Sequence, residues 1–358
     1  MFLLIALAAI QVPFIYRRWK LGRIAAKIAA AETNRIVRTG DNFDEYLGVI
    51  HAHTSLGGHS TGSFDELISG ANQAGLDFVL MTEHWSDDYD TAALTLNGKF
   101  GRTLFVGGNE IDTLDADRFL MLPGSGDAAG LRRSSTDAVL TKLHAEQRLA
   151  LITYPEKYNS WDSAFDGIEV FSLNTAAKAI NKFTGPFDVI WSGRAYPELT
   201  FAQYFRRPDT NLAKFDEVAQ RRPISLFAGT DAHSNIGFHL FGDDAGHKSI
   251  GLKLDPYQFS FSIARVHLVL AKGSELSTEK ILYAIKNNQF FTAIDAFGDT
   301  SGFRFGAYGT FGSDGAPVPG PSSLQVRTPL PSKIMIYKNG TIFTEQSGNT
   351  DLSVPADG

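Results

Sequence analysis

Four of the nine histidines in this 358-residue chain lie between Tyr46 and Trp85. The apolar run Tyr46–Ile50 leads into His51-Ala52-His53-Thr54. A glycine-rich loop then carries His59, and a second apolar run, Asp77–Met81, ends in Thr82-Glu83-His84. Residues i and i+2 of a strand point to one side, so His51 and His53 are expected to present two imidazoles to one point where the strand ends. Imidazole is the commonest metal-binding side chain near neutral pH. A lone His-x-His arises by chance, but here further apolar runs end in ligand-type residues. Residues 103–108 lead into Asn109-Glu110, residues 167–171 carry Glu169, and residues 224–229 lead into Thr230-Asp231-Ala232-His233. Asp231 and His233 repeat the i, i+2 spacing.

Elements must bring these strand ends together. Ser63-x-x-Glu66 has the form of a capping box, the spacing after it predicts a helix to about Ala74, and Gly75 stops it. Residues 46–84 therefore read as strand, loop, helix, strand, which requires a parallel pair and a crossover. Further strands are expected at 103–107, 118–122, 149–153, 167–172 and 224–228, with helices at 136–147, 175–183 and 209–220. The fold class is α/β. Chemistry gathered at successive strand ends points to a barrel of about seven strands alternating with helices.

Composition bounds the reading. A 43% apolar and 20% charged chain is ordinary for a globular protein. A net charge of -6 gives no support for a nucleic-acid surface, and no nucleic-acid partner is expected. The absence of cysteine excludes disulfides and thiol nucleophiles, so any metal must be held by imidazole and carboxylate.

The two ends differ from the middle. Residues 1–16 carry no charge and are followed by Arg17, Arg18, Lys20, Arg23 and Lys27, so residues 1–20 are expected to be a hydrophobic membrane anchor. Residues 21–42 read as a basic helical stalk. The charge bias would keep the globular part in the cytosol, with an extracytoplasmic location not excluded. Residues 43–300 form the expected barrel. From 301 to 358, short alternating segments with Asn339-Gly340 between two of them predict a β-rich module. The chain reads as truncated at either or both ends.

The segments HAHTSLGGHSTGSFDEL, MTEHW, GGNE and GTDAH, in this order, resemble the PHP (polymerase and histidinol phosphatase) family of metallohydrolases over about residues 46–295. The segment KILYAIKNNQFFTAIDA and the tail are most similar to its carbaryl-hydrolase-like branch, and by that likeness the tail is an immunoglobulin-like β-sandwich. The resemblance implies a distorted seven-stranded (βα) TIM-like barrel and two divalent ions, Zn, Mn or Fe. His51, His53, Glu110 and Asp231 would hold one, and His59, His84 and His233 the other. Two family histidines are replaced, one by Tyr154 and one in the region of Arg118, so the family's third metal is expected to be absent. Arg118 is a candidate for charge stabilisation, and Tyr154, with an ordinary pKa near 10, is a poor ligand. Glu169 is expected to aim at the site, directly or by ordering a ligand, and Glu83 to point away from His84. His144 reads as an exposed or satisfied helix residue, and His267 as facing solvent or a neighbouring sheet. His239 and His247 lie in a loop that would overhang the site.

The implied function is metal-dependent hydrolysis of a small phosphoester, or of a carboxylic or carbamate ester, by metal-activated hydroxide. The alternatives are a membrane-tethered binding protein with a degenerate metal site, and an amidohydrolase-type enzyme.

Overall fold

The computed structural model describes residues 2–38, 42–181, 183–235, 237–242, 248–253, 255–306 and 323–355. Strand β1 (Phe43–Ala52) and strand β2 (Phe78–Met81) pair in parallel across helix α2 (Phe64–Gln73). The predicted capping box is present: Ser63 Oγ accepts from the Glu66 amide at 3.2 Å, and a Glu66 carboxylate oxygen accepts from the Ser63 amide at 3.0 Å. Leu67 and Ala71 on one face of α2 are fully buried. Gly75, with φ +74, ends the helix in the left-handed region.

The remaining strands are β3 (Glu83–His84), β4 (Gly98–Phe100), β5 (Thr103–Val106), β6 (Asn109–Asp112), β7 (Arg118–Leu122), β8 (Leu149–Ile152), β9 (Gly167–Ser172), β10 (Ser225–Gly229), β11 (Gly237–Gly242), β12 (Lys248–Lys253), β13 (Ala264–Ala271), β14 (Phe290–Ile294), β15 (Arg304–Gly306), β16 (Ser323–Lys338) and β17 (Thr341–Pro355). They do not form the expected barrel as a single sheet. One six-stranded sheet runs β14-β13-β1-β2-β5-β4 and a second runs β10-β9-β8-β7-β6-β3. The strand direction is also mixed, because β7 is antiparallel to both β6 and β8. Where the sheets meet, the Thr230 amide donates to Ile50 O at 3.0 Å and the His53 amide to Ala232 O at 3.0 Å. Ile50, Phe78, Leu80, Leu120, Leu151, Phe227 and Val266 fill the shared interior. The helix Thr136–Ala145 covers the second sheet through Val139, Leu140 and Leu143. Each such side chain stabilises the fold by roughly 1.5–3 kcal/mol.

The N-terminal segment departs from expectation. Anchor and stalk are one helix, α1 (Phe2–Glu32), which continues through Pro13 and packs on the body through Phe14 and Leu21. Among the described residues, no helix is long and apolar enough to cross a membrane, so a membrane-spanning anchor finds no support. In the tail, β15, β16 and β17 make one three-stranded antiparallel sheet, with the predicted turn at Asn339 and Gly340, both at positive φ. A second sheet, which a sandwich requires, is not present among the described residues. Residues 307–322 and 356–358 lie outside them.

His267 does not reach solvent. It is fully buried, with Nδ1 2.7 Å from Glu45 Oε1, Nε2 3.2 Å from Asp295 Oδ2, and its ring stacked on Phe291. His144 is satisfied by Asp166, 3.2 Å from Nε2. His239 falls on β11, and His247 lies outside the described residues.

Candidate metal centre

The strand ends do converge, but simple alternation is not what aims the side chains. The pairing of β1 with β2 slips between Ile50 and Ala52, leaving His51 as an extra residue at φ 76. Such a bulge re-aims a side chain next to a site. The pairing of β9 with β10 slips immediately after Glu169, and Asp231 at the end of β10 also has a positive φ, 46. Non-glycine residues in the left-handed region carry strain that the surrounding packing must hold. Here the neighbours are fully buried: Ile50, Ala52 and Met81.

His51 Nε2 lies 3.6 Å from Glu110 Oε1 and 3.4 Å from Asp231 Oδ1, and His53 Nε2 lies 3.6 Å from Glu110 Oε2 and 3.4 Å from the same Asp231 oxygen. His84 Nδ1 is 3.4 Å from Glu110 Oε2. Atoms sharing one ion at about 2.1 Å in tetrahedral array stand about 3.4 Å apart, so these separations suit a metal. His53, His84 and His233 form one ligand-capable group and His51, His53 and Glu110 another, with His53 common to both. Its ring stacks between His84, at 4.6 Å, and His233, at 4.5 Å. His51 Nε2, both His53 ring nitrogens, Glu110 Oε2, Glu169 Oε2 and Asp231 Oδ1 are buried with no hydrogen-bond partner. Buried polar atoms left unsatisfied in this way are costly unless an ion takes them up.

The other oxygen of Asp231 is already occupied. Tyr154 Oη donates to Asp231 Oδ2 at 2.7 Å and Asn174 Nδ2 donates to it at 2.9 Å, which turns Oδ1 toward the imidazoles. Thr153 Oγ1 donates to Glu110 Oε1 at 3.2 Å. Glu169 Oε1 lies 2.8 Å from His51 Nδ1. A carboxylate there fixes the tautomer with the proton on Nδ1 and leaves the Nε2 lone pair for a metal.

Burial drives the titration of these groups, and their neighbours correct it. Desolvation and the charge of His233 lower His53 to about 4, and desolvation with the charge of His53 lowers His84 to about 3. Both imidazoles are therefore neutral ligands at pH 7. Burial disfavours a charged His51, yet Glu169, Asp231 and Glu110 together hold it well above the ordinary histidine range. Burial raises Glu169 to about 7 against the pull of His51. Burial also opposes ionisation of Glu110, but His51, His53 and His84 together outweigh it and lower the carboxyl to about 2. Asp231 is likewise held well below its usual value, burial being overcome chiefly by His51.

His59 joins neither ligand group. It is exposed, with its ring 4.8 Å from that of His84, and it lines the mouth of the site. Arg118 is half-buried there: Nε donates to Asp112 Oδ1 at 2.6 Å, Nη1 is 3.7 Å from Glu110 Oε1, and the guanidinium stands over the Tyr154 ring. Glu83 does point away, into the body. Its carboxylate accepts from Thr54 N, Thr54 Oγ1 and Thr95 Oγ1. The site opens into a cleft of about 710 Å3 also lined by Trp85, Asp87, Asp112, Asn174 and Lys178. Sequence reasoning missed Asn174 and Lys178. Both sit on the helix Leu173–Lys178, which starts directly after β9, and their nearness to the Glu169 strand end was the available signal.

No family model matches the chain, and no curated protein matches its sequence significantly. Among solved structures it is similar to PsfC from Pseudomonas syringae PB-5123, with 13% identity, TM-score 0.43, and 71% of this chain and 93% of that one covered. It is similar to a two-domain protein from Bacteroides vulgatus ATCC 8482 containing a predicted PHP-like metal-dependent phosphoesterase, with 11% identity, TM-score 0.41, and 90% and 89% covered. A third is Endonuclease Q bound to a 27-mer duplex with an abasic lesion, with 11% identity, TM-score 0.36, and 68% and 57% covered. A duplex is that protein's substrate. The likeness to the carbaryl-hydrolase-like branch finds no support among these three.

Proposed function

We propose that this chain is a metal-dependent hydrolase of the PHP type, acting on a small phosphoester. The observation that carries the reading is the convergence of buried, unpartnered donor atoms from His51, His53, Glu110 and Asp231 on one point. This donor set, imidazoles with ionised carboxylates, fits a divalent cation such as Zn, Mn or Fe. His51, His53, Glu110 and Asp231 would hold one ion. His84 and His233, with His53 beside them or with His59 from the loop, would hold a second. When bound, the ions supply Lewis acidity for water activation and oxyanion stabilisation.

The chain's own residues supply the rest. Glu169 keeps the His51 Nδ1 proton in place, and Tyr154 and Asn174 hold Asp231 so that a single oxygen faces the centre. Arg118 and Lys178 are the lysine and arginine side chains of the cleft. Arg118 is directed at the centre by Asp112 and meets anionic ester oxygens as they enter. These two cations favour a phosphoester over a neutral carboxylic ester.

The test is metal content per chain together with turnover of p-nitrophenyl phosphate, bis-p-nitrophenyl phosphate and p-nitrophenyl acetate, repeated with His233→Ala. Bound divalent metal, phosphoester turnover and its loss in the variant support the reading. Metal-free protein without turnover would leave a binding scaffold in its place.

A further inference from the structure

Helix α1 carries an exposed stripe on the side opposite its packed residues. Phe2, Ile5, Ala9, Val12, Tyr16 and Trp19 follow one another at spacings of three and four, which places them on one face. Phe2 is 87% exposed, Val12 59% and Trp19 54%. The same face continues through Lys20, Arg23 and Lys27, all exposed. Along the helix the stripe thus changes from wholly apolar to Tyr and Trp and then to cationic, and residues 1–31 contain no acidic residue. The Tyr16 and Trp19 rings stack at 5.7 Å, and the Arg23 guanidinium lies 5.0 Å from the Trp19 ring. This is the order of a lipid surface entered from the acyl side: hydrocarbon, then the interfacial zone favoured by Trp and Tyr, then anionic headgroups.

The body of the protein is clamped to α1 at the level where that change occurs. Trp191 Nε1 donates to Gln11 Oε1 at 2.8 Å, Phe14 packs on Phe187 at 5.1 Å, and Arg17 Nε meets the buried Asp188 carboxylate at 2.8 Å. The clamped segment, Gly185–Gly193, bears its own exposed apolar side chains, with Ile190 at 73% and Phe183, just ahead of it, at 85%. Apolar side chains clustered in this way beside a basic stripe are not explained by the fold. We infer that the domain docks on an anionic lipid bilayer with the N-terminal end of α1 directed into it and the Phe183–Ile190 segment, at the level of the clamp, meeting the lipid interface, so that it sits on the lipid rather than hanging from a flexible tether. Phe183 lies five residues beyond Lys178, at most about 18 Å of extended chain. This inference concerns binding and stands or falls separately from turnover at the metal centre.

The test is flotation of the full chain with phosphatidylcholine vesicles, with and without phosphatidylserine. The expected result is stronger partitioning into the anionic vesicles, lost on Lys20→Glu with Arg23→Glu. Phe183→Ser with Ile190→Ser is expected to lower partitioning by roughly tenfold per residue, at unchanged melting temperature because both side chains are exposed. Equal flotation of the Phe183→Ser, Ile190→Ser protein would overturn the proposal, since α1 alone would then be the membrane contact. A chain that ignores vesicles and sediments as a dimer would overturn it in favour of a contact between copies.

Discussion

Glu169 Oε1 stands 2.8 Å from His51 Nδ1, in space that exists only because residue 229 on the neighbouring strand is glycine. A Cβ built at Gly229 would collide with that same carboxylate oxygen. The orientation of a metal-type histidine thus depends on a residue with no side chain of its own.

Two substitutions test this dependence. Glu169→Gln and Gly229→Ala are each expected to weaken divalent-metal affinity by about 10- to 100-fold, the usual cost of losing such a partner. Titration calorimetry reads the affinity, and circular dichroism checks that the fold is retained. Unchanged affinity in both would show that Glu169 does not set the His51 ring.

Metal should also stabilise the fold. An ion bound only by the native state adds about 2.7 kcal/mol at one hundred times its Kd. Saturating Zn or Mn is expected to raise the melting temperature and EDTA to return it, with no shift in a His51→Ala, His53→Ala protein. A metal-induced shift that persists in that variant would place the binding elsewhere.

Arg118 gives a substrate-selective outcome. Hydrogen bonds to charged groups contribute about 1.5–3 kcal/mol, so Arg118→Ala is expected to lower kcat/KM on phosphoesters by roughly ten- to a hundred-fold. It should leave p-nitrophenyl acetate turnover nearly unchanged. An equal loss on both esters would assign Arg118 to holding Glu110 and Asp112 in place instead.

Outside the metal centre, the His267–Glu45 pair predicts a pH window. Burial lowers the His267 pKa, but Asp295 and Glu45 outweigh it and the net shift is upward. Its stabilisation is therefore full below about pH 6.5 and is lost as pH rises through the raised value. Glu45 is shifted down, burial being outweighed by His267, Arg304 and the Gly302 amide. Its stabilisation is present above about pH 4.5 and is lost as pH falls through the lowered value. Chemical denaturation across pH should show wild-type stability declining on the alkaline side relative to His267→Gln. Glu45→Ala should cost about 3–5 kcal/mol near pH 5.5, the penalty for breaking a buried pair. Parallel alkaline curves for wild type and His267→Gln would remove His267 as the cause.

The local elements and the make-up of the site are legible in the chain's residues alone. The capping box at Ser63 and Glu66, the turn at Asn339-Gly340 and the strand runs ending at His51, Glu110, Glu169 and Asp231 are written in neighbouring residues, because caps, turns and period-two patterns are short-range. How those residues meet is set by packing between distant segments. The bulge at His51 replaces the expected alternation, and whether a strand slips depends on its partner strand. Asn174 finds Asp231 across 57 positions, a distance no periodicity reports. The division of the strands between two six-stranded sheets, and the antiparallel direction of β7, were not legible because pairing partners and directions are set by long-range packing. His267, which reads as an alternating strand residue, is buried because Glu45 and Asp295 arrive from elsewhere in the chain to hold its proton. The same holds for α1: its apolar run is plain in the sequence, whereas its clamp to Phe187, Asp188 and Trp191 belongs to the folded molecule alone.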